Sequence, residues 1–383
     1  MPRVDKTLVA TILLLAGLGV LALWMHAPPA DFSRASLVKS SALRQIVFLG
    51  AALALMGLAA LPHYNLFRQL AWVFYAAGLV ALVVLLLKGN RTRGAAGWFS
   101  LGPVNVQPAE FFKIALVFTL GRILMYGRAV QTWSGLALPV AATAVPAVLV
   151  LLQPDLGTTL LFVPTLFAML YVAGARKRHL AIMASVLLVA APVVFFKVMK
   201  PYQQARLTAF WTGKDNYQAD QAVKACASGR AFGRALSENG AQLPYYVPDR
   251  STDFVYSILA EELGFFGSTF VLLLYAAFFA QCLRVAHQSR EPFARLVVTG
   301  LTVCFAAQTF INLGMTLGVA PITGLTLPFV SYGGSSLLTC ALAAGVVLNV
   351  GARWQPAFSA RDMAGGSIAI SGFQPQAVKW LNQ

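Results

Sequence analysis

Asp253-Phe-Val-Tyr-Ser-Ile-Leu-Ala-Glu261-Glu262-Leu-Gly264 reads as the start of a membrane-spanning helix, yet it holds three of the chain's thirteen acidic residues. An ionised side chain near a bilayer core costs roughly 2.5 to 3.5 kcal/mol even on lenient insertion scales, so acids there mark a functional site by default. The chain around this stretch sets the fold class. It has 383 residues, 58% hydrophobic and 11% charged, with a mean hydropathy of +0.70, far from the balance of a soluble domain. Apolar runs recur near 7–26, 44–62, 70–88, 108–126, 135–152, 157–175, 179–198, 254–283, 293–317 and 332–352. A helix of about 20 residues crosses a hydrocarbon layer of roughly 30 Å. The pattern predicts an all-α polytopic membrane protein of about ten transmembrane helices, one domain over 1–383. The first span is too long for a signal peptide and no small-residue cleavage site follows it, so it is expected to stay as an anchor.

The net charge of +16 comes from cations scattered among short loops. Without a compact basic domain and stacking aromatics it points to anionic lipid and not to nucleic acid. Cys226, Cys282, Cys304 and Cys340 lack the paired spacing of a metal site or disulfide framework and read as structural.

The short cationic loop Gly174-Ala-Arg-Lys-Arg-His179 belongs in the cytoplasm by the positive-inside rule. Arg3, Lys6, Arg122 to Arg128, Arg284 to Arg295, Arg353 and Arg361 then also fall inside, with both termini. The long loop 199–253, between the seventh and eighth spans, falls outside. A loop of that length is functional or disordered, and its end, Leu243-Pro-Tyr-Tyr-Val-Pro-Asp-Arg-Ser-Thr-Asp253, delivers an acid to the outer mouth of the next span. The plain alternative is a linker with a helix N-cap at Ser251 or Thr252. One outer loop, Lys88-Gly-Asn-Arg-Thr-Arg93, breaks the charge rule. Either Lys88, Arg91 and Arg93 form an anion site, or they snorkel from a helix end.

Gln107-Pro-Ala-Glu110-Phe-Phe-Lys113 opens the fourth span, and the acid and base three apart share one helix face. They form a structural ion pair or line a polar cavity. Asp155 in Gln153-Pro-Asp155-Leu-Gly-Thr-Thr suits a helix cap. Asp253 can meet water, whereas Glu261 and Glu262, two turns deeper, need partners. From Asn312 to Ser336 the chain is rich in Pro and Gly, irregular backbone that must line a cavity or be buried in protein. Its Gly333-Gly334-Ser335-Ser336 turn, entering a helix, could hold an anion through free N–H groups.

That last stretch resembles the SEDS family of RodA, FtsW and SpoVE. So do Gln107-Pro108-Ala109-Glu110, Gln153-Pro154-Asp155-Leu156-Gly157, and Thr252-Asp253-Phe254 leading to Ala260-Glu261-Glu262-Leu263-Gly264. The motifs keep the family's order and spacing over nearly the whole chain. The resemblance implies a peptidoglycan glycosyltransferase in the bacterial cytoplasmic membrane. Such an enzyme polymerises lipid II at the outer face with a class B penicillin-binding protein and other elongasome or divisome proteins. It also implies that Asp253 is the essential acid. Glu110, Lys113 and Asp155 are its polar residues around a central cavity, and Glu261 and Glu262 lie in its acidic helix motif. The chain departs from the family at Ala96-Gly97 before Trp98, at Ala109, at Ser251, and in a glycine-rich element reduced to Ser228-Gly-Arg-Ala-Phe-Gly-Arg234. Arg91, Arg93, Arg230 and Arg234 are candidates for the displaced cations.

The chemistry so implied is an inverting displacement, with Asp253 as base for the acceptor hydroxyl and the leaving diphosphate held by Arg91, Arg93, Arg206, Lys88, Ser335 and Ser336. A divalent ion, Mg²⁺ or Mn²⁺, bridged to carboxylate is the alternative holder. Two rival classes are a flippase for the lipid-linked precursor, which would want charges along a midplane path and internal repeats, and a noncatalytic scaffold for the penicillin-binding protein. Within the family the lack of long terminal extensions favours the RodA-like elongation role over division.

Overall fold

The computed structural model describes residues 5–26, 41–88, 90–92, 95–101, 104–153, 155–213, 217–234 and 247–353. Among them twelve α-helices follow in order: α1 Lys6–His26, α2 Ser41–Ala60, α3 Asn65–Lys88, α4 Pro108–Leu124, α5 Trp133–Leu152, α6 Leu156–Val172, α7 Lys177–Val193, α8 Pro201–Thr212, α9 Tyr217–Ser228, α10 Val255–Gln288, α11 Pro292–Thr316 and α12 Gly334–Ala352. A helix stands at each of the ten expected spans. Eight are long and apolar enough to cross a membrane. The other two, α4 and α6, have 17 residues each, and α4 carries Glu110, Lys113 and Arg122. The remaining helices, α8 and α9, occupy the long loop.

The all-α polytopic reading holds, with one small addition. Between α3 and α4 lie three antiparallel strands in one sheet, β1 Asn90–Thr92, β2 Ala95–Leu101 and β3 Val104–Val106, in the order β1-β2-β3. Phe99 faces Val106 and Leu101 faces Val104 across the second hairpin. Strands of three to seven residues are shorter than any span-length apolar window, so they leave no mark on it.

Local chemistry sets the helix ends. Pro108 and Pro292 occupy first turns, where a missing N–H costs nothing. Glu291 caps α11 by accepting from the Ala294 N–H at 2.6 Å. Ser251 and Thr252 do not cap α10. The helix starts at Val255, and residues 249–253 form a separate turn instead.

In lipid, helices associate through close packing of small residues, and α2 against α12 follows that rule. A Cβ on Gly345 would meet Met56 O at 2.4 Å and the Ala59 Cβ at 2.8 Å. Nearly all of α4 is buried, enclosed by α3, α5, α6, α11 and α12, which shelters its charges. At the end of the bundle where α2 stops, Arg353 donates to Leu61 O at 2.7 Å, and Arg122 donates to Arg68 O and Gln69 O, both at 2.8 Å. Arg353 thereby satisfies a loose carbonyl just past the C-terminus of α2, while Arg122 is a second donor to carbonyls in the first turns of α3. Asp253, the sheet and the N-termini of α4, α6, α10 and α12 gather at the opposite end.

Candidate active site

Asp253 ends a turn fastened on three successive residues. The Tyr332 N–H donates to Ser251 O at 2.9 Å, the Ser331 hydroxyl donates to Thr252 O at 2.5 Å, and Asn312 Nδ2 donates to Asp253 O at 2.8 Å. The Asp253 N–H itself reaches Asp249 O at 3.0 Å. Asp249 bears the turn's left-handed backbone, with φ +52°. The Asp253 side chain stays partly exposed and lies beside Gly324, where an added Cβ would sit 3.6 Å from Oδ2.

Beneath this mouth a polar chain crosses the bundle. Lys113 Nζ donates to Glu110 Oε1 at 2.9 Å and to Gln308 Oε1 at 3.0 Å, and both charged residues are 5% exposed. Gln308 Nε2 donates to Thr326 O at 2.9 Å, and the Thr326 and Ser336 hydroxyls lie 2.6 Å apart. Glu110 and Lys113 are thus a buried pair tied to the irregular 317–333 segment. Glu110 Oε2 has no partner among the described residues.

Asp155 caps α6 as its sequence suggested, accepting from the Thr158 N–H at 2.9 Å and hydroxyl at 2.8 Å. It also accepts from Gln107 Nε2 at 3.0 Å, which ties the start of α6 to the start of α4. Burial among these helix ends raises its carboxyl above the usual aspartate range, against the lowering effect of the Thr158 bonds. Ser335 donates to Asn105 O at 2.7 Å and accepts from the Gln107 N–H at 3.3 Å. The Ser335 and Ser336 hydroxyls therefore serve the protein, and only the backbone N–H groups of that turn remain for an anion.

Glu261 is buried and forms ion pairs with Arg234 and Arg250. Arg234, a candidate diphosphate cation, is engaged there. Glu262 is half-buried beside them. The other cations lie apart from this clasp. Lys88 is exposed at the last residue of α3. Arg206 is exposed on α8 above the Tyr202 ring, 5.9 Å from its centroid. Burial raises that Tyr202 phenol above the usual tyrosine range, with the Arg206 charge opposing it. Arg91 lies in β1, and Arg93 falls outside the described residues. Among the described residues no three His, Cys, Asp or Glu side chains converge to hold a metal.

A family model described as "Cell cycle protein", covering FtsW, RodA and SpoVE, matches residues 5–355. A protein named probable peptidoglycan glycosyltransferase FtsW, from Allochromatium vinosum, is 35% identical over 88% of each chain. Stage V sporulation protein E of Bacillus subtilis is 32% identical over 80% of this chain and 86% of its own. The chain belongs to the SEDS family. The crystal structure of Thermus thermophilus RodA superposes on this SEDS chain with a TM-score of 0.70, at 30% identity, covering 92% of this chain and 99% of its own. A solved structure described as a peptidoglycan synthase complex that coordinates polymerization and crosslinking gives 0.78, at 32% identity, covering 92% and 98%.

The glycine-rich element, reduced in this SEDS chain, keeps glycine where the fold needs it. A Cβ on Gly229 would meet Ala260 O at 1.9 Å, and one on Gly233 would meet Glu262 O at 2.0 Å. Gly264 breaks α10 with φ +68° and ψ −164°. The Phe265 and Phe266 N–H groups freed by the break donate to Arg230 O at 2.8 Å and Ala231 O at 3.2 Å. Sequence reasoning gave no role to Gln308, Asn312, Ser331 or Arg250. A signal for two of them existed, since Gln308 and Asn312 stand four apart on one face of an otherwise apolar span.

Proposed function

We propose that this SEDS chain is an inverting peptidoglycan glycosyltransferase that polymerises lipid II at the outer face of the bacterial cytoplasmic membrane. The observation that carries the reading is the Asp253 turn, held by Asn312, Ser331 and Tyr332 at the mouth of a bundle in a family whose relatives are named peptidoglycan glycosyltransferases. The 4-hydroxyl of one sugar attacks the anomeric carbon of another and gives its proton to the Asp253 carboxylate. The bond from that carbon to the polyprenyl diphosphate breaks with its electron pair on the departing phosphate oxygen, and the α-linkage becomes β. A positioned carboxylate base contributes about 10² to 10⁴-fold. Positive charge at the leaving group adds the electrostatic part, from Lys88, Arg91, Arg93 and Arg206, with the first-turn N–H groups of α12 at Ser335 and Ser336. A divalent cation, if required, would take Asp253 as its protein ligand and phosphate oxygens for the rest. Glu110, Lys113 and Asp155 support the site without touching the reacting atoms.

The partner in this reading is a class B penicillin-binding protein, supported by the likeness to a synthase complex that couples polymerization to crosslinking. The cellular role divides two ways. The name FtsW among the sequence relatives favours division, while the fold match to RodA supports elongation. A fluorescent fusion that gathers at the septum decides for division, and one along the side wall decides for elongation.

Glycan synthesis from labelled lipid II by the purified chain, with and without its penicillin-binding partner, tests the activity. Polymer from wild type and none from a folded Asp253→Ala variant is the expected result. Partner binding or lipid flipping without polymer from wild type would replace the enzyme with a scaffold or a flippase.

A further inference from the structure

Asn312 stands near the C-terminal end of α11 with none of its surface exposed. An amide so placed must find partners in the protein. Its Nδ2 donates to Asp253 O at 2.8 Å and to Leu325 O at 2.6 Å. Both partners are carbonyls, which only accept, so the nitrogen and not the oxygen of the carboxamide faces them. The Oδ1 meets no donor among the described residues. A buried acceptor left unmatched opposes folding; a leucine of similar size would remove that cost but leave the Asp253 and Leu325 carbonyls without their donor. The amide is therefore tied to the join it makes between two segments.

Its two bonds join two segments beside the Asp253 carboxylate. One is the turn 249–253, the other the irregular segment holding Gly324 and Leu325. Because the Asp253 N–H is also held, by Asp249 O, the main chain of Asp253 is pinned on both sides and only side-chain rotations remain. Gly324 adopts φ +75° and is exposed next to the Asp253 Oδ2. The Asn312 amide thus sets the spacing between the carboxylate and the exposed Gly324 backbone, where a sugar can approach.

We infer that Asn312 is a positioning residue for glycan transfer, fixing Asp253 against the Gly324–Leu325 backbone. The inference rests on the reading of Asp253 as base. Asn312 touches neither sugar nor diphosphate; it acts through the turn. Misplacing a reacting group by about 1 Å costs on the order of 10²-fold in rate.

The test measures initial rates of polymerisation against lipid II concentration, in the complex with the penicillin-binding partner, for wild type, Asn312→Ala, Asn312→Asp and Asp253→Asn. Thermal unfolding of each complex is recorded alongside. Asn312→Asp keeps the volume while replacing the donating nitrogen by oxygen, and so stands in if Asn312→Ala does not fold. In folded Asn312 variants kcat falls about 10²-fold while KM stays within about twofold of wild type. Three results overturn the role: a wild-type kcat, a loss confined to KM, or a loss in both variants that only tracks the folded fraction. Wild-type polymerisation by Asp253→Asn would remove the base reading and this inference with it. An inactive Asp253→Asn beside fully active Asn312 variants would remove this inference alone.

Discussion

Lys113 and Glu110 neutralise each other at a depth where neither charge stands alone. Removing one partner of a buried pair typically costs about 3 to 5 kcal/mol, because the other charge is left without compensation. Glu110→Gln and Lys113→Met should therefore each lower the unfolding temperature in detergent, and the double variant should lose less than the sum of the two. Strict additivity would mean that the residues do not act as a pair. Asp155 gives a pH signature. Its carboxyl is raised by burial, so above about pH 4 the native state holds a proton that the unfolded chain has released. Stability relative to Asp155→Asn, which keeps the cap but cannot ionise, falls as pH rises through that window. Unfolding temperatures of the two proteins between acid and neutral pH check the sign. The Asp155 cap was legible in the sequence because capping is local, settled within three residues. The partners of Glu261 were not, since Arg234 and Arg250 reach it from across a loop, and a charge count cannot tell a clasped arginine from one that waits for phosphate.

The break in α10 shows how glycine shapes an element. Gly264→Ala would put a methyl group 2.2 Å from the Gly233 N and a side chain at φ +68°, a backbone strain of about 1 to 3 kcal/mol before the clash is counted. The 229–234 segment should then lift from α10 and loosen α9. Cys226 on α9 reports this, because burial pushes its thiol up to about 12 and keeps it slow toward maleimide. Labelling of Cys226 should quicken in Gly264→Ala, and an unchanged rate would show that the segment docks without the break. The ten helices at the expected spans were legible because lipid requires about 20 apolar residues for each span. The helix break, the turn before α10 and the small sheet were not. Each depends on which backbone groups a distant segment can satisfy, and α10 reads in the sequence as one continuous span near 254–283.

For the whole molecule, the proposed orientation sets Asp253 and the long loop outside. Trp211 on α8 is 82% exposed, and Tyr126, just past the C-terminus of α4, is 74% exposed at the other end. In a Cys226→Ala background, Trp211→Cys should react with a membrane-impermeant maleimide on intact cells, and Tyr126→Cys only after permeabilisation. The reverse pattern would invert the molecule and its site. Loop charges gave the expected orientation that this labelling tests, and arginines do fasten carbonyls at the Arg353 end. How the chain closes on itself was not legible, since helix pairing in lipid turns on small residues scattered through every span. The first helix rests mainly on α10 and the second on α12, and α1 comes so near the irregular segment that a Cβ on Gly19 would meet Val330 O at 2.4 Å. During synthesis, then, the earliest helices to leave the ribosome are among the last to find their seats. They wait in the bilayer until most of the polypeptide has followed them, and a nascent chain cut short before α12 leaves α2 without its main seat.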